Sequence, residues 1–157
     1  DDEALSQIVL QRAQLCNMTL VREVAREIAK RSKGTPRLAI RLLESCHRYA
    51  RSQDENAVTM RHFEETTVLD GLDSLGLGPD EQRFIKYLTI QPGKPVRLHE
   101  LEAAIGVHYR TIQSVIEPFL LRKGLIERTP QGRVITERGM QHVQGSVEAE
   151  PVGEGAS

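Results

Sequence analysis

Apolar residues recur at helical spacing through the first half of the chain. Leu5, Ile8, Val9 and Leu15 are spaced for one helix over residues 2–15. A second helix is predicted over 20–31, where Leu20, Val24 and Ile28 line one face beside Ala25 and Ala29. Arg22, Arg26 and Lys30 take another face, and Thr19 stands where a cap is needed. The pattern breaks at Gly34-Thr35-Pro36 and restarts with Arg37. Proline is favoured at a first helical position, so Thr35-Pro36 reads as a capped restart. In the third helix Leu38, Leu42, Cys46 and Tyr49 repeat every three or four residues. Arg37, Arg41, Glu44, Arg48 and Arg51 fall on a different side. Thr59 caps a short fourth helix ending near Val68. This half shows no strand pattern. Residues 1–72 are therefore expected to form a four-helix bundle.

The stretch "LDGLDSLGLGP" at 69–79 is rich in glycine, and residues 73–79 are expected to link two modules. Beyond it the pattern changes. Residues 80–90 predict an amphipathic helix with Phe84, Ile85 and Leu88 apolar. "QPGKP" is a turn, and Val96-Arg97-Leu98 could form a very short strand. A helix over 99–105 stops at Gly106. Another restarts over 108–123, with Ile112, Val115, Ile116, Phe119 and Leu120 apolar. "LIERT" and "RVIT" around "PQG" read as a β-hairpin. A last helix covers 136–143, and the polar tail 144–157 is expected to be disordered. Helix, minimal strand, helix, turn, helix, hairpin is the order of a winged helix-turn-helix. The expected fold class is thus mainly α: a helical bundle, then a winged helix over 80–143 with a small hairpin wing.

Charge refines this picture. The net charge of the 157 residues is only −1, yet residues 21–52 carry +6 and residues 53–77 carry −5. Such blocks point to modules with different partners. No apolar run approaches the roughly 18–20 residues of a membrane span, and no signal-peptide pattern opens the chain. Two cysteines inside helical patterns, Cys16 and Cys46, fit free thiols in a cytoplasmic protein. Histidines 47, 62, 99, 108 and 142 are scattered without metal-ligand spacing, so no metal site is expected.

Two sets of cations carry candidate chemistry. Arg37 would sit in the first turn of its helix, where a cation forgoes roughly 0.3–1 kcal/mol of dipole interaction. That placement makes sense if an anion binds nearby, since helix N-termini attract anions. Its plain alternative is a solvated basic face. No G-x-x-x-x-G-K-[ST] phosphate loop occurs in the chain, so it cannot cradle a nucleotide in the usual way. In the second module Tyr109 and Arg110 open the helix that would enter a DNA groove. Arg122 and Lys123 lie near its end, and Arg128 and Arg133 flank the wing turn. Guanidinium forks suit phosphate. Winged helices also dock proteins, and Glu117 and Glu127 argue against a dense phosphate face. Pro118 is out of place in a helix interior, where proline costs about 3 kcal/mol. It would bend the helix or end it.

"RSKGTPRLAIRLLESCHRYA", "GKPVRLHELEAAIG" and "TIQSVIEPFLLRKGLIERTPQGRVIT" together resemble the C-terminal part of the RuvB family. These are AAA+ ATPases that drive branch migration at Holliday junctions. The resemblance runs from about residue 4 to 143. G-T-P-R before a helix, followed at the right separation by E-P-F-L and R-T-P-x-G-R, is a specific combination. It implies an AAA+ lid followed by a winged helix, with the large ATPase domain absent. The chain is then expected to be part of a longer protein, or a stand-alone relative. Arg37 matches the family's sensor 2 residue, which reaches the nucleotide phosphates from the lid. Arg128 and Arg133 match the wing arginines that touch DNA. Where the family has an Arg near the start of the recognition helix this chain has Tyr109, with Arg110 next. Gln131 replaces a wing Arg that is frequent in the family. Both departures mark a divergent member.

The resemblance further implies ATP with Mg as cofactor of the full-length protein, with none bound by this stretch alone. It implies duplex DNA at Holliday junctions as substrate, contacts with the chain's own large ATPase domain, a hexameric homo-oligomeric ring, and a junction-binding loader protein. This stretch alone would not hydrolyse ATP. Rival readings are the lid and winged helix of another AAA+ DNA protein, such as a replication initiator, a non-enzymatic winged-helix DNA-binding regulator, or a protein-docking module.

Overall fold

The computed structural model describes the backbone of residues 1–149 and the side chains of residues 1–145. The chain divides into two compact units, one ending at Gly78 and one beginning at Pro79.

In the first unit, α1 (Asp2–Leu15), α2 (Arg22–Lys30), α3 (Pro36–Ser52) and α4 (Met60–Leu69) form the expected four-helix bundle. Their apolar stripes meet in a core that includes Val9, Val24, Ile28, Leu42, Leu43, Cys46 and Phe63. Each large side chain buried there contributes about 1.5–3 kcal/mol relative to exposure. Two short strands, β1 (Thr19–Leu20) and β2 (Ala57–Val58), pair in parallel, Thr19 opposite Ala57. No periodicity can show in strands of two residues. They also correct the expected start of the second helix. Thr19 belongs to a strand, and α2 begins after Val21, which offers no side-chain cap. Thr59 does cap α4: its N–H donates to His62 Nδ1 at 3.0 Å, the imidazole standing in for the usual Glu or Gln of a capping box.

The turn between α2 and α3 positions Arg37. Lys33 and Gly34 both adopt left-handed backbone, φ 53° and 72°. Glycine takes this conformation without steric cost. Ser32 is buried beneath, its hydroxyl donating to the Ile28 carbonyl at 2.5 Å. Thr35 occupies the cap position in extended backbone, but its side chain makes no capping bond. The hydroxyl donates instead, at 3.4 Å, to the Lys33 carbonyl. The restart thus rests on the turn and on Pro36, and Thr35 does not cap it.

The segment expected to be a linker is ordered. Asp73 Oδ1 accepts the N–H groups of Leu75 and Leu77, both at 2.9 Å. Arg31 Nε donates to the Asp73 carbonyl at 3.3 Å, while its guanidinium lies 4.8 Å from the Phe63 ring centre. Gly76, at φ 84°, passes so close to Arg31 that an added Cβ would lie 2.2 Å from the Arg31 carbonyl oxygen. Arg31 is therefore a structural residue that fastens this segment to the bundle.

The second unit contains α5 (Pro79–Thr89), α6 (Leu98–Ile105), α7 (Tyr109–Thr111), a π-helical turn (Ile112–Ile116), α8 (Glu117–Arg122), the hairpin β3 (Ile126–Thr129) and β4 (Gly132–Ile135), and α9 (Glu137–Ala149). This is a winged helix-turn-helix. Phe84, Leu88, Leu101, Ile112, Leu120 and Ile126 are among its buried residues. The short strand expected at 96–98 shrinks to one bridge, Val96 with Arg133, because Leu98 already opens α6. The last helix passes Val143 and continues to Ala149. Gln144, Glu148 and Ala149 are good helix formers, so residues 144–149 extend it rather than starting a disordered tail. Residues 150–157 lie outside the described part.

Cys46 is buried among the bundle helices, and burial pushes its thiol up to about 11. Cys16 is exposed. Only thiolate reacts with disulfide reagents. At pH 8 the folded chain should therefore release one equivalent of thiol with Ellman's reagent, from Cys16. Fast reaction of both would show that the bundle core is open.

Candidate nucleic-acid interface

Helix α7, the π turn and α8 form one continuous helix. Backbone angles stay helical through both junctions, at Ile112 (φ −56°, ψ −51°) and Glu117 (φ −63°, ψ −41°). Pro118 neither ends it nor breaks it. Proline has no N–H, and its ring would clash with the carbonyl four residues back. The wider π turn immediately before it accommodates both problems.

The π turn also decides which side chains face inward. Positions five apart in an α-helix point about 140° apart. Here the Glu117 N–H bonds to the Ile112 carbonyl. An i→i+5 bond brings the two residues close to one stack. Glu117 consequently follows Ile112 into the interior, where its side chain is 0% exposed. Val115, one of the apolar positions of this helix, is turned outward and is 65% exposed.

Glu117 meets the wing there. β3 and β4 pair antiparallel with Arg128 directly opposite Arg133. Like charges facing across a strand pair destabilise it. The Glu117 carboxylate lies between them: Arg133 Nε donates to Oε1 and Arg128 Nη2 to Oε2, each at 2.5 Å. The wing is braced further by reciprocal bonds between Val96 and Arg133, N–H to carbonyl, each 2.8 Å. Gly132 has φ 141°, and a Cβ there would sit 2.4 Å from the Val96 oxygen, so the bridge requires glycine.

At its other end the helix starts on a cluster of polar rings. The Tyr109 N–H donates to Glu102 Oε2 at 2.6 Å, and the Arg110 N–H donates to His108 Nδ1 at 3.2 Å. The Tyr109 ring sits 4.6 Å from that of His108 and 6.4 Å from that of His99, with the Arg110 guanidinium 5.8 Å away. Between the two ends the outward residues are Thr111, Gln113, Ser114, Val115 and Pro118, none of them charged. Arg110 and Arg122 lie at most about 18 Å apart along the axis at 1.5 Å per residue. That can span a major groove about 12 Å wide and bring a cation to each side.

The structure thus groups Tyr109 with Arg110, and Arg128 with Arg133. Arg37 belongs to the other unit, exposed in the first turn of α3, a turn without acidic residues. Among the described residues neither Arg37 nor Arg41, one turn on, has an ion-pair partner. Glu117 was missed as an organiser of the site. Its only signal was the adjacent Pro118, which requires an irregular helix. No group of three or more His, Cys, Asp or Glu among the described residues could hold a metal ion, and no helix among them is long and apolar enough to cross a membrane.

The first unit is thus a four-helix bundle and the second a winged helix-turn-helix. Residues 1–73 match the RuvB AAA lid domain, and residues 74–144 match the RuvB C-terminal winged helix domain. The chain is 39% identical to the Holliday junction branch migration complex subunit RuvB of Synechococcus sp., over 90% of this chain and 42% of that protein. It is 35% identical to the subunit of the same name from Chloroflexus aurantiacus, over 90% and 41%. The solved Thermotoga maritima RuvB Holliday junction branch migration motor superposes with a TM-score of 0.85 at 32% identity, covering 92% of this chain and 49% of that one. The chain belongs to the RuvB family, and it spans less than half the length of the curated relatives it matches.

Removing one partner from a buried ion pair costs about 3–5 kcal/mol, because the remaining charge is left uncompensated. Glu117→Ala should destabilise the second unit by about that amount. Urea unfolding followed by hydrogen exchange at the hairpin amides would measure it. A loss below about 1 kcal/mol, the scale of a surface pair, would contradict the brace.

Proposed function

We propose that this chain is the nucleotide-sensing lid and the DNA-gripping winged helix of an ATP-driven motor that moves Holliday junctions. The observation that carries the reading is the surface of the helix at 109–122: uncharged in its middle, cationic at both ends, and flanked by a wing with a half-exposed arginine. Membership of the RuvB family supports the same reading. Such a surface seats in a groove and holds the backbone, and backbone contacts position without specifying sequence. A translocating motor needs that property.

Arg37 is the lid residue that reaches the phosphates of a nucleotide held by a large ATPase domain. It is exposed and without a partner among the described residues, and the α3 N-terminus beside it favours anions. ATP with Mg is the cofactor of the full-length protein. Lid closure on ATP swings the winged helix, and a hexameric ring of such subunits, placed on junctions by a loader protein in the cytoplasm, draws duplex DNA along. Without that large domain the chain does not hydrolyse ATP. The exposed Val115 favours one rival, a protein-docking surface on the same helix. The binding assay below separates the two.

With Arg110, the Arg122–Lys123 end and the wing each meeting one phosphate, log K for duplex binding should fall with log salt at a slope of roughly −3. Two unrelated duplexes should bind equally. Binding that ignores salt, or no binding at low salt, would favour docking. In the full-length protein Arg37→Ala should slow ATP hydrolysis about tenfold or more, a loss of about 1.4 kcal/mol in transition-state stabilisation. An unchanged rate would discard the sensing role.

A further inference from the structure

The two wing arginines are not equivalent. Arg133 gives Nε to Glu117 Oε1 at 2.5 Å and Nη2 to Oε2 at 3.5 Å, and its side chain is only 12% exposed. Its backbone N–H and carbonyl are both bonded to Val96. Arg128 gives Nη2 to Glu117 Oε2 at 2.5 Å and is 50% exposed. A guanidinium has five N–H donors. The remaining donors of Arg128 have no partner among the described residues. One carboxylate between two guanidiniums leaves the trio of Glu117, Arg128 and Arg133 with a net charge of +1.

We infer that Glu117 is a positioning residue that divides the work of the wing: it retains Arg133 as an internal brace and offers Arg128 alone to a DNA phosphate. For Arg133 to contact DNA it would have to leave a carboxylate that is itself fully buried. That carboxylate would then stand in the interior with half its compensation gone. Arg128 can bind a phosphate with its outward donors while keeping its bond to Glu117. The inference rests on the DNA-gripping reading, and it narrows the wing to one phosphate contact where the family resemblance implies two.

The test uses the whole chain and a fluorescent 20-base-pair duplex, with anisotropy read over a salt series. Each phosphate contact adds about 0.9 to the magnitude of the slope. Arg128→Ala should therefore reduce it by about one, and Arg133→Met should leave it unchanged. Glu117→Gln keeps the side-chain volume and removes the charge, which frees Arg133. It should steepen the slope by about one and tighten binding at low salt. Equal flattening by Arg128→Ala and Arg133→Met, with both variants folded, would overturn the division of work.

A second measurement needs no DNA and no wing variant. Brief treatment of the wild-type chain with a dicarbonyl reagent, followed by peptide mass spectrometry, should modify Arg128 and spare Arg133. Glu117→Gln should expose Arg133 to the reagent. Equal modification of both in the wild type would overturn the inference. Absence of duplex binding at low salt would count instead against the DNA-gripping reading, whatever the modification pattern.

Discussion

A single carboxylate buried between two guanidiniums governs the second unit. Glu117 can reach the wing only because the helix makes a π turn, and the π turn suits the proline that follows. Take the turn away and Glu117 rotates away from the wing, Arg128 and Arg133 face each other without an anion, and Pro118 meets a carbonyl. Helix and wing are thus one mechanical piece. A rigid pairing of this kind keeps the two elements from sliding against each other.

In the lid, Arg31 and Arg37 differ in the same way, one engaged and one not. Arg31 is fully engaged: it lies over Phe63, pairs with Glu27 at 3.3 Å and donates to the Asp73 carbonyl. Its network fastens the segment that leads toward the second unit. Arg37, two residues past the left-handed turn and Thr35, engages nothing among the described residues. An arginine held in place has already lost the conformational freedom that binding would cost. One left loose keeps all its donors for a ligand.

Helical periodicity was enough to read the first three bundle helices, since each carries a stripe of Leu, Ile, Val or Ala long enough to register; the fourth, which buries His62, Phe63, Thr66 and Thr67, was read from its Thr59 cap. The winged-helix order was equally readable, because its turns are marked by Gly106 and by Pro130-Gln131-Gly132. Two-residue strands have no period, so Thr19 was taken for a cap when it pairs with Ala57. The π turn was hidden for a deeper reason. Periodicity arguments assume 3.6 residues per turn, and one inserted residue changes which positions face inward. Val115 is therefore outside the buried set despite its apolar side chain, and Glu117 was read only as a charge arguing against a dense phosphate face. Local charge alone also could not tell Arg128 from Arg133, since the difference lies in what a residue sixteen positions from Arg133 does.

The central claim is that the helix beginning at Tyr109 and the braced wing together form the nucleic-acid face of this chain. Amide NMR spectra recorded while a short duplex is added test it most directly. Shift changes should concentrate at residues 108–115, 122–123 and 128–132, while amides in α1 to α4 stay in place. Changes centred on α3 of the lid, with the wing amides unmoved, would contradict the account.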